Sequence, residues 1–165
     1  LGGVGGGGGG GGGWGAGGEA VELYRGLVAS NAARYVPDLA LALNSYANRL
    51  ADVGRRGEAL GAAGEAVELY GVLAVSSPAR YFPDLAMSLN NYANSLAGVG
   101  RWEEALGAAG EAVELYRGLA EALPAAHAAG YLRSLRTIVP VLEGLGRGDE
   151  AAAYEREIQR LQPDQ

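Results

Sequence analysis

The sequence predicts an all-α fold, an α-solenoid of antiparallel helix pairs, on the basis of three observations. The hexapeptide Glu-Ala-Val-Glu-Leu-Tyr occurs at 19–24, 65–70 and 111–116, each copy 46 residues after the last. Windows 19–64 and 65–110 match at 32 of 46 positions without a gap. Within each window, apolar residues recur three or four positions apart, as on one face of an α-helix. A fixed period of this length indicates stacked units that bury their apolar faces against their neighbours.

The chain divides into a glycine-rich start and seven expected helices. Residues 1–14 are either a flexible low-complexity tail or a degenerate repeat, because Val4 falls on Leu50 and Trp14 on Leu60 in the 46-residue register. The predicted solenoid covers residues 15–165, with a leading half unit at 17–31 and units at 38–75, 84–121 and 127–162. We expect helices over 17–31, 38–53, 57–75, 84–99, 103–121, 127–145 and 148–162.

Turn and capping residues set the expected helix ends. Pro37 with Asp38 suits a first helical turn, where proline loses no hydrogen bond and aspartate faces the positive end of the helix dipole. Gly54 is expected to end that helix in a left-handed conformation. Pro140 should bend helix 127–145, because it removes one backbone hydrogen bond. The polar final helix, 148–162, is typical of a solvent-facing cap on a solenoid.

The expected core is thin and rich in alanine. Hydrophobic residues make up 48% of the chain, and many of them are alanine. Leu50 and Leu96 should be buried between helices, and the tyrosines at 46 and 92 should pack in the core. Tyr35 and Tyr81 are expected to cover the junctions between units. Four glycines fall outside the core stripe of the second helices, where either they are tolerated on the convex surface or a backbone or partner approaches them closely: Gly61, Gly64, Gly107 and Gly110.

Composition argues against several classes of function. The chain has no cysteine, and all 13 basic residues are arginine. A net charge of −6, without a basic segment, makes a nucleic-acid partner unexpected. No apolar run comes close to the roughly 20 residues of a membrane-spanning helix. We therefore expect a cytoplasmic protein with no membrane partner, and the alanine-, glycine- and arginine-rich composition favours a bacterial source.

The sequence offers little for catalysis or metal binding. His127 is the one histidine, and a helix-start or surface position is expected for it. A phosphate-binding loop of the Walker type needs a lysine, which the chain lacks. The glutamate pairs at 19/22, 65/68 and 111/114 are better explained by weak helical ion pairs, such as Glu22 with Arg25. We expect no catalytic residues, no cofactor and no metal.

The repeat resembles the tetratricopeptide repeat family. The residues that carry the resemblance are Tyr46-Ala47, Leu50, Gly54, Ala59, Ala63 and Ala66, matched again by Tyr92-Ala93, Leu96, Gly100, Ala105, Ala109 and Ala112. The family's usual unit has about 34 residues, so this longer unit is similar to the kinesin-light-chain-like branch and its bacterial relatives. The resemblance implies a right-handed solenoid with the first helix of each unit lining a concave groove. It also implies a non-catalytic scaffold that is part of a larger bacterial signalling or regulatory protein.

A row of amides and arginines is the predicted ligand-binding surface. Asn44 and Asn48 lie one helical turn apart, and Asn90 and Asn94 repeat them. These offsets match the family's peptide-contacting positions, and an amide can hold a peptide backbone because it both donates and accepts hydrogen bonds. The next unit would place Arg133 and Arg136 on the same face, able to pair with a carboxylate. Alternatively, the asparagines bond across adjacent first helices to fix the stack, or merely reflect recent duplication.

The predicted function is therefore a protein- or peptide-binding module whose partner carries a carboxylate or an acidic end. A second possibility is an assembly element whose open N-terminal end stacks on another copy or on neighbouring repeats of a longer chain. An enzyme is a remote third possibility.

Overall fold

The computed structural model describes residues 15–162. The glycine-rich residues 1–14, with the expectations for Val4 and Trp14, lie outside the described residues, as do residues 163–165 at the end of the predicted solenoid. Within 15–162 the chain forms seven α-helices and no strand, so the all-α prediction is confirmed. The helices are α1 (Ala16–Ser30), α2 (Ala32–Asp52), α3 (Arg56–Ser76), α4 (Pro78–Gly98), α5 (Trp102–Ala122), α6 (Pro124–Gly144) and α7 (Gly148–Leu161).

Each helix packs against the next helix along the chain, which gives a helical-repeat solenoid. Its units are the pairs α2–α3, α4–α5 and α6–α7, and α1 precedes them as a half unit. We call α2, α4 and α6 the first helices, and α1, α3, α5 and α7 the second helices. First helices also pack against one another, whereas within residues 15–162 the backbone of no second helix approaches that of the next second helix. Because the first helices lie closer together, they form the inner, concave side of the stack.

The first helices of the units begin earlier than the sequence predicted. α2 and α4 begin six residues upstream of their expected starts at 38 and 84, and α6 begins three residues upstream of 127. Pro78 and Pro124 therefore occupy the first turns, and Pro37 and Pro83 lie inside the helices. The prediction that Pro37 begins a helix is wrong, because a capped turn precedes it: Asn31 Oδ1 accepts a 3.2 Å hydrogen bond from the backbone N–H of Arg34. α6 runs through Pro140 without interruption, and the bend expected there stays a prediction.

Glycine ends each first helix, as the sequence predicted for Gly54. The φ angles of Gly54, Gly100 and Gly146 are +79°, +80° and +72°. At the first of these turns the Arg55 N–H donates to the Leu50 carbonyl at 2.8 Å, and the Gly54 N–H donates to the Ala51 carbonyl at 3.0 Å. This pair of bonds satisfies the last carbonyls of the helix and requires a left-handed residue, which only glycine adopts at low cost.

The core consists of leucines on the first helices packed against alanines on the second helices. Leu50 is 3% exposed and Leu96 is fully buried, as predicted. Each unit supplies the alanines that let the helices approach, for example Ala63 and Ala109, both with no exposed surface. Of the tyrosines predicted to pack in the core or cover the junctions, 46 and 81 are buried, and 35 and 92 are half-buried.

The four glycines outside the predicted core stripe do not share one environment. A Cβ on Gly61, Gly107 or Gly110 would meet no atom within 4 Å. A Cβ on Gly64 would lie 3.3 Å from Cε2 of Tyr92. The expectation that Gly64 lies away from the packed face is therefore wrong, because the ring of a first-helix tyrosine rests on its backbone.

Helix α3 is apolar enough to be compared with a membrane span. By length and composition this 21-residue helix could cross a bilayer, with a mean hydropathy of 1.3 over its most apolar window. The expectation that no segment has these properties is therefore wrong. The similarity is weak evidence, because α3 packs between α2 and α4 and carries Glu65 and Glu68 near its middle. Charged side chains at the centre of a span are costly.

Candidate functional site

Two asparagine–serine hydrogen bonds join the first helices to one another. The Nδ2 group of Asn44 on α2 donates to Oγ of Ser88 on α4 at 2.5 Å. One repeat later, Nδ2 of Asn90 on α4 donates to Oγ of Ser134 on α6 at 2.9 Å. The two asparagines are only 3% and 2% exposed. Each bond therefore lies inside the interface between adjacent first helices.

The serine of each pair is fixed by its own helix. The hydroxyl of Ser88 donates to the Asp84 carbonyl at 2.8 Å, and that of Ser134 donates to the Gly130 carbonyl at 3.2 Å. Each serine oxygen is thereby positioned to accept from the asparagine of the preceding unit. The Oδ1 atoms of both asparagines are buried without a partner among the described residues. A buried acceptor without a partner carries a desolvation cost.

These contacts correct half of the predicted amide row. Asn44 and Asn90 were expected to be exposed in the groove, but they are stacking residues that hold neighbouring first helices together. The sequence analysis also missed their partners, Ser88 and Ser134. A signal was available, because a serine follows each of these asparagines by 44 residues.

Asn48 and Asn94 occupy the exposed inner face that the prediction required. Both are exposed, one turn beyond the buried asparagines, and both line one small cavity of about 150 Å³ between α2, α3 and α4. Three further polar side chains that the sequence analysis did not single out share this cavity: Arg56, Asn91 and Ser95. The cavity therefore concentrates amide donors and acceptors beside one guanidinium group.

We call the contact between two successive units a seam. The second seam, where α5 meets α6, is packed differently from the first, where α3 meets α4. Trp102 is the repeat equivalent of Arg56, and its indole rests on Gly144, where a Cβ would lie 2.7 Å from the ring. At the first seam a Cβ on Gly98 would lie 3.9 Å from Cδ of Arg56. The tight approach of the indole fills the second seam, while the arginine leaves the first one looser.

The predicted arginine pair lies on the inner helix of the last unit. Arg133 and Arg136 are both exposed on α6. Arg133 is near Tyr116, whose pKa is raised by burial and partly lowered again by that positive charge. Arg136 donates to Oε1 of Gln162 at 3.0 Å. Since Arg136 occupies the register position of Asn44 and Asn90, the series of buried asparagines ends at α6.

An open cleft, which the sequence did not indicate, lies at the C-terminal cap. It measures about 970 Å³ and lies between α5, α6 and α7. On its wall Arg117 Nε donates to the Tyr131 hydroxyl at 3.1 Å, and this hydroxyl donates to Glu157 Oε1 at 2.5 Å. Burial raises the pKa of Tyr131, and the hydrogen bond to Glu157 raises it further. Both hydrogen bonds stay within the chain and together link α5, α6 and α7.

Charged residues elsewhere form solvated pairs. An arginine before each of α3, α5 and α7 forms a two-pronged pair with a glutamate three residues later. In one of these pairs, the hydrogen bond from Arg101 lowers the pKa of Glu104. The predicted pair of Glu22 with Arg25 is present at 2.9 Å. Within residues 15–162 no group of three or more acidic, histidine or cysteine side chains could hold a metal ion. His127 lies in the first turn of α6, as expected.

Comparison with known proteins gives no family assignment. No protein-family model matches the chain, and no curated protein sequence matches it significantly.

Proposed function

We propose that this chain is a non-catalytic scaffold module that binds a protein or peptide along the concave face of its first helices. The observation that carries the proposal is that α2 and α4 each have one buried and one exposed asparagine. Asn44 and Asn90 are engaged in stacking, whereas Asn48 and Asn94, one turn away, keep their amides exposed. Because asparagine is a mediocre helix former, exposed copies at equivalent positions carry a local cost that a binding role would explain.

The spacing of these amides suits an extended peptide. Adjacent packed helices lie roughly 8–10 Å apart, and an extended chain rises about 3.3 Å per residue. Amides on successive first helices would therefore meet about every third peptide residue. Since each amide donates and accepts, it can pair with the peptide backbone largely independently of sequence.

The exposed arginines on α6 make one end of the proposed groove different from the other. Arg133 is exposed on α6, beyond Asn94 along the stack, and a guanidinium can pair with a carboxylate in a forked geometry. We propose that the peptide places a carboxylate there, from its C-terminus or from an acidic side chain. The tetratricopeptide resemblance supports the same binding mode and a cytoplasmic role within a larger bacterial signalling or regulatory protein.

A selection followed by mapping tests this proposal. Peptides with free C-termini, selected from a random library against the chain, are titrated into ¹⁵N-labelled protein. Chemical-shift changes should concentrate on Asn48, Asn94 and the exposed residues of α6. Amidation of the peptide C-terminus, or Arg133→Ala, should weaken binding and reduce its salt dependence. Shift changes confined to α3, α5 and α7 would contradict a concave site.

A second candidate function, self-stacking through the N-terminal end, is favoured by exposed leucines there. Leu23 on α1 is 62% exposed, although its equivalents Leu69 and Leu115 are half-buried. Leu41 on α2 is 52% exposed. If copies associate through this end, sedimentation should show a concentration-dependent dimer that Leu23→Ser abolishes and Val72→Ser, at an exposed position of α3, leaves intact. A monomer at all concentrations would rule this candidate out.

A further inference from the structure

The convex edge of the solenoid carries side-chain braces between successive second helices. Arg25 on α1 reaches Glu65 on α3, with Nη2 and Oε2 2.6 Å apart. Two repeats later the equivalent residues, Arg117 on α5 and Glu157 on α7, are linked through the hydroxyl of Tyr131. Each brace joins an arginine to a glutamate 40 residues further along the chain. Because the backbones of successive second helices stay apart throughout residues 15–162, any direct link between them has to be made by side chains.

The brace between α3 and α5 is missing. The register position of the two arginines is Gly71 in α3, and the glutamate that would face it is Glu111 in α5. Glu111 is exposed and has no ion-pair partner among residues 15–162. A Cβ on Gly71 would meet nothing within 4 Å, so a side chain can begin at this position without a clash.

The concave edge does not share this asymmetry. The buried bonds of Asn44 to Ser88 and of Asn90 to Ser134 repeat at both junctions between first helices. The inner edge therefore carries the same buried hydrogen bond at both junctions, whereas within residues 15–162 the outer edge carries side-chain braces at its two ends and none in its middle.

We propose that the junction between α3 and α5 is a hinge, at which the solenoid changes its curvature by opening and closing its convex edge. The inner edge acts as the pivot, since Asn44 and Asn90 hold the first helices together. Motion at this hinge changes the angle between the unit that carries Asn48 and the unit that carries Asn94. The width of the concave face is therefore adjustable at its centre.

Spin labels at equivalent positions test the hinge. The chain has no cysteine, so introduced cysteines are its only labelling sites. Ala29→Cys with Val75→Cys spans the braced α1–α3 junction, and Val75→Cys with Glu121→Cys spans the unbraced α3–α5 junction; all three positions are exposed. Distance distributions from double electron–electron resonance should be broader for the 75/121 pair than for the 29/75 pair.

Gly71→Arg supplies the missing side chain, and Gly71→Ala is its matched control. Both replace a helical glycine, but only the arginine can reach Glu111. We expect Gly71→Arg to narrow the 75/121 distribution and Gly71→Ala to leave it broad. The braced pair is 45% and 37% exposed at Arg25 and Glu65, so salt at about 1 M should weaken it and broaden the 29/75 distribution.

Two results would overturn the proposal. One is a 75/121 distribution that is no broader than the 29/75 distribution in the parent chain. The other is equal narrowing by Gly71→Ala and Gly71→Arg, which would assign the effect to helix propensity instead of the brace.

Discussion

The side-chain amide of Asn90 donates a 2.9 Å hydrogen bond to Oγ of Ser134, across the interface between two first helices. Asn44 and Ser88 make the same contact one repeat earlier. These bonds place two of the four asparagines predicted to line the groove inside the stack. The other two, Asn48 and Asn94, are left for solvent or a ligand.

A double-mutant cycle measures how much the hydrogen bond between Asn90 and Ser134 contributes to the unfolding free energy. Ser134→Ala leaves the Asn90 amide buried without any partner, so it should cost about 1–3 kcal/mol of unfolding free energy. The double variant with Asn90→Ala should cost less than the sum of the two single changes, with a coupling of at least about 0.5 kcal/mol. Denaturant unfolding gives all four values, and strictly additive effects would mean that the bond is absent in solution.

Truncation of Leu96 should expose the nearest-neighbour character of the stack. Leu96 is fully buried, so Leu96→Ala should cost roughly 2–5 kcal/mol. Because solenoid units are coupled only to their neighbours, amide hydrogen exchange should accelerate first in α4, α5 and the helices beside them. Uniform loss of protection across residues 16–161 would contradict this picture.

Gly130 should resist replacement even though it lies in a helix. A Cβ at this position would overlap the ring of Tyr116, which is itself buried and donates to the Pro83 carbonyl at 3.2 Å. Gly130→Ala should therefore destabilise by about 1–3 kcal/mol through overpacking. Gly110→Ala, with open space around it, should instead stabilise by roughly 0.5–1 kcal/mol. Equal responses of the two variants in thermal unfolding would refute the close contact.

The carboxyl group of Asp84 should make stability depend on pH. Burial raises the pKa of Asp84, and Arg80 offsets this only in part. The folded state then binds this proton more tightly than the unfolded chain does, so protonation of Asp84 stabilises the fold most at low pH. This stabilisation is lost as pH rises through the raised folded pKa, from about pH 4 upward. Asp84→Asn should raise stability at neutral pH and flatten this dependence, and an unchanged pH profile of stability in this variant would contradict the assignment.

The fold was predictable from the sequence because two successive windows carry the same helical pattern. A 46-residue period with helical spacing fixes the number of helices, and Gly54 fixes where a first helix ends. The early start of α2 was not predictable from Pro37, because a proline inside a helix and one at its start look alike in a single sequence. The cap at Asn31 was the overlooked sign.

The division between stacking and exposed asparagines could not be predicted from periodicity. Residues four apart on a helix are about 40° apart around its axis, so Asn44 and Asn48 belong to nearly the same face. Only the way in which α4 packs against α2 shows that Asn44 lies inside the interface and Asn48 lies outside it. The serine at 88 was a usable clue, and the equivalent of Ser88 in α2 is Ala42, which cannot accept such a bond.

Paired measurements on two double variants test the central claim most directly. Unfolding free energy and affinity for a selected peptide are measured for Asn44→Ala/Asn90→Ala and for Asn48→Ala/Asn94→Ala. We predict that the first variant loses stability but keeps its affinity while folded, and that the second keeps its stability but loses binding. The reverse pattern, or loss of binding only in the first variant, would contradict the assignment of the buried asparagines to stacking and the exposed ones to the ligand.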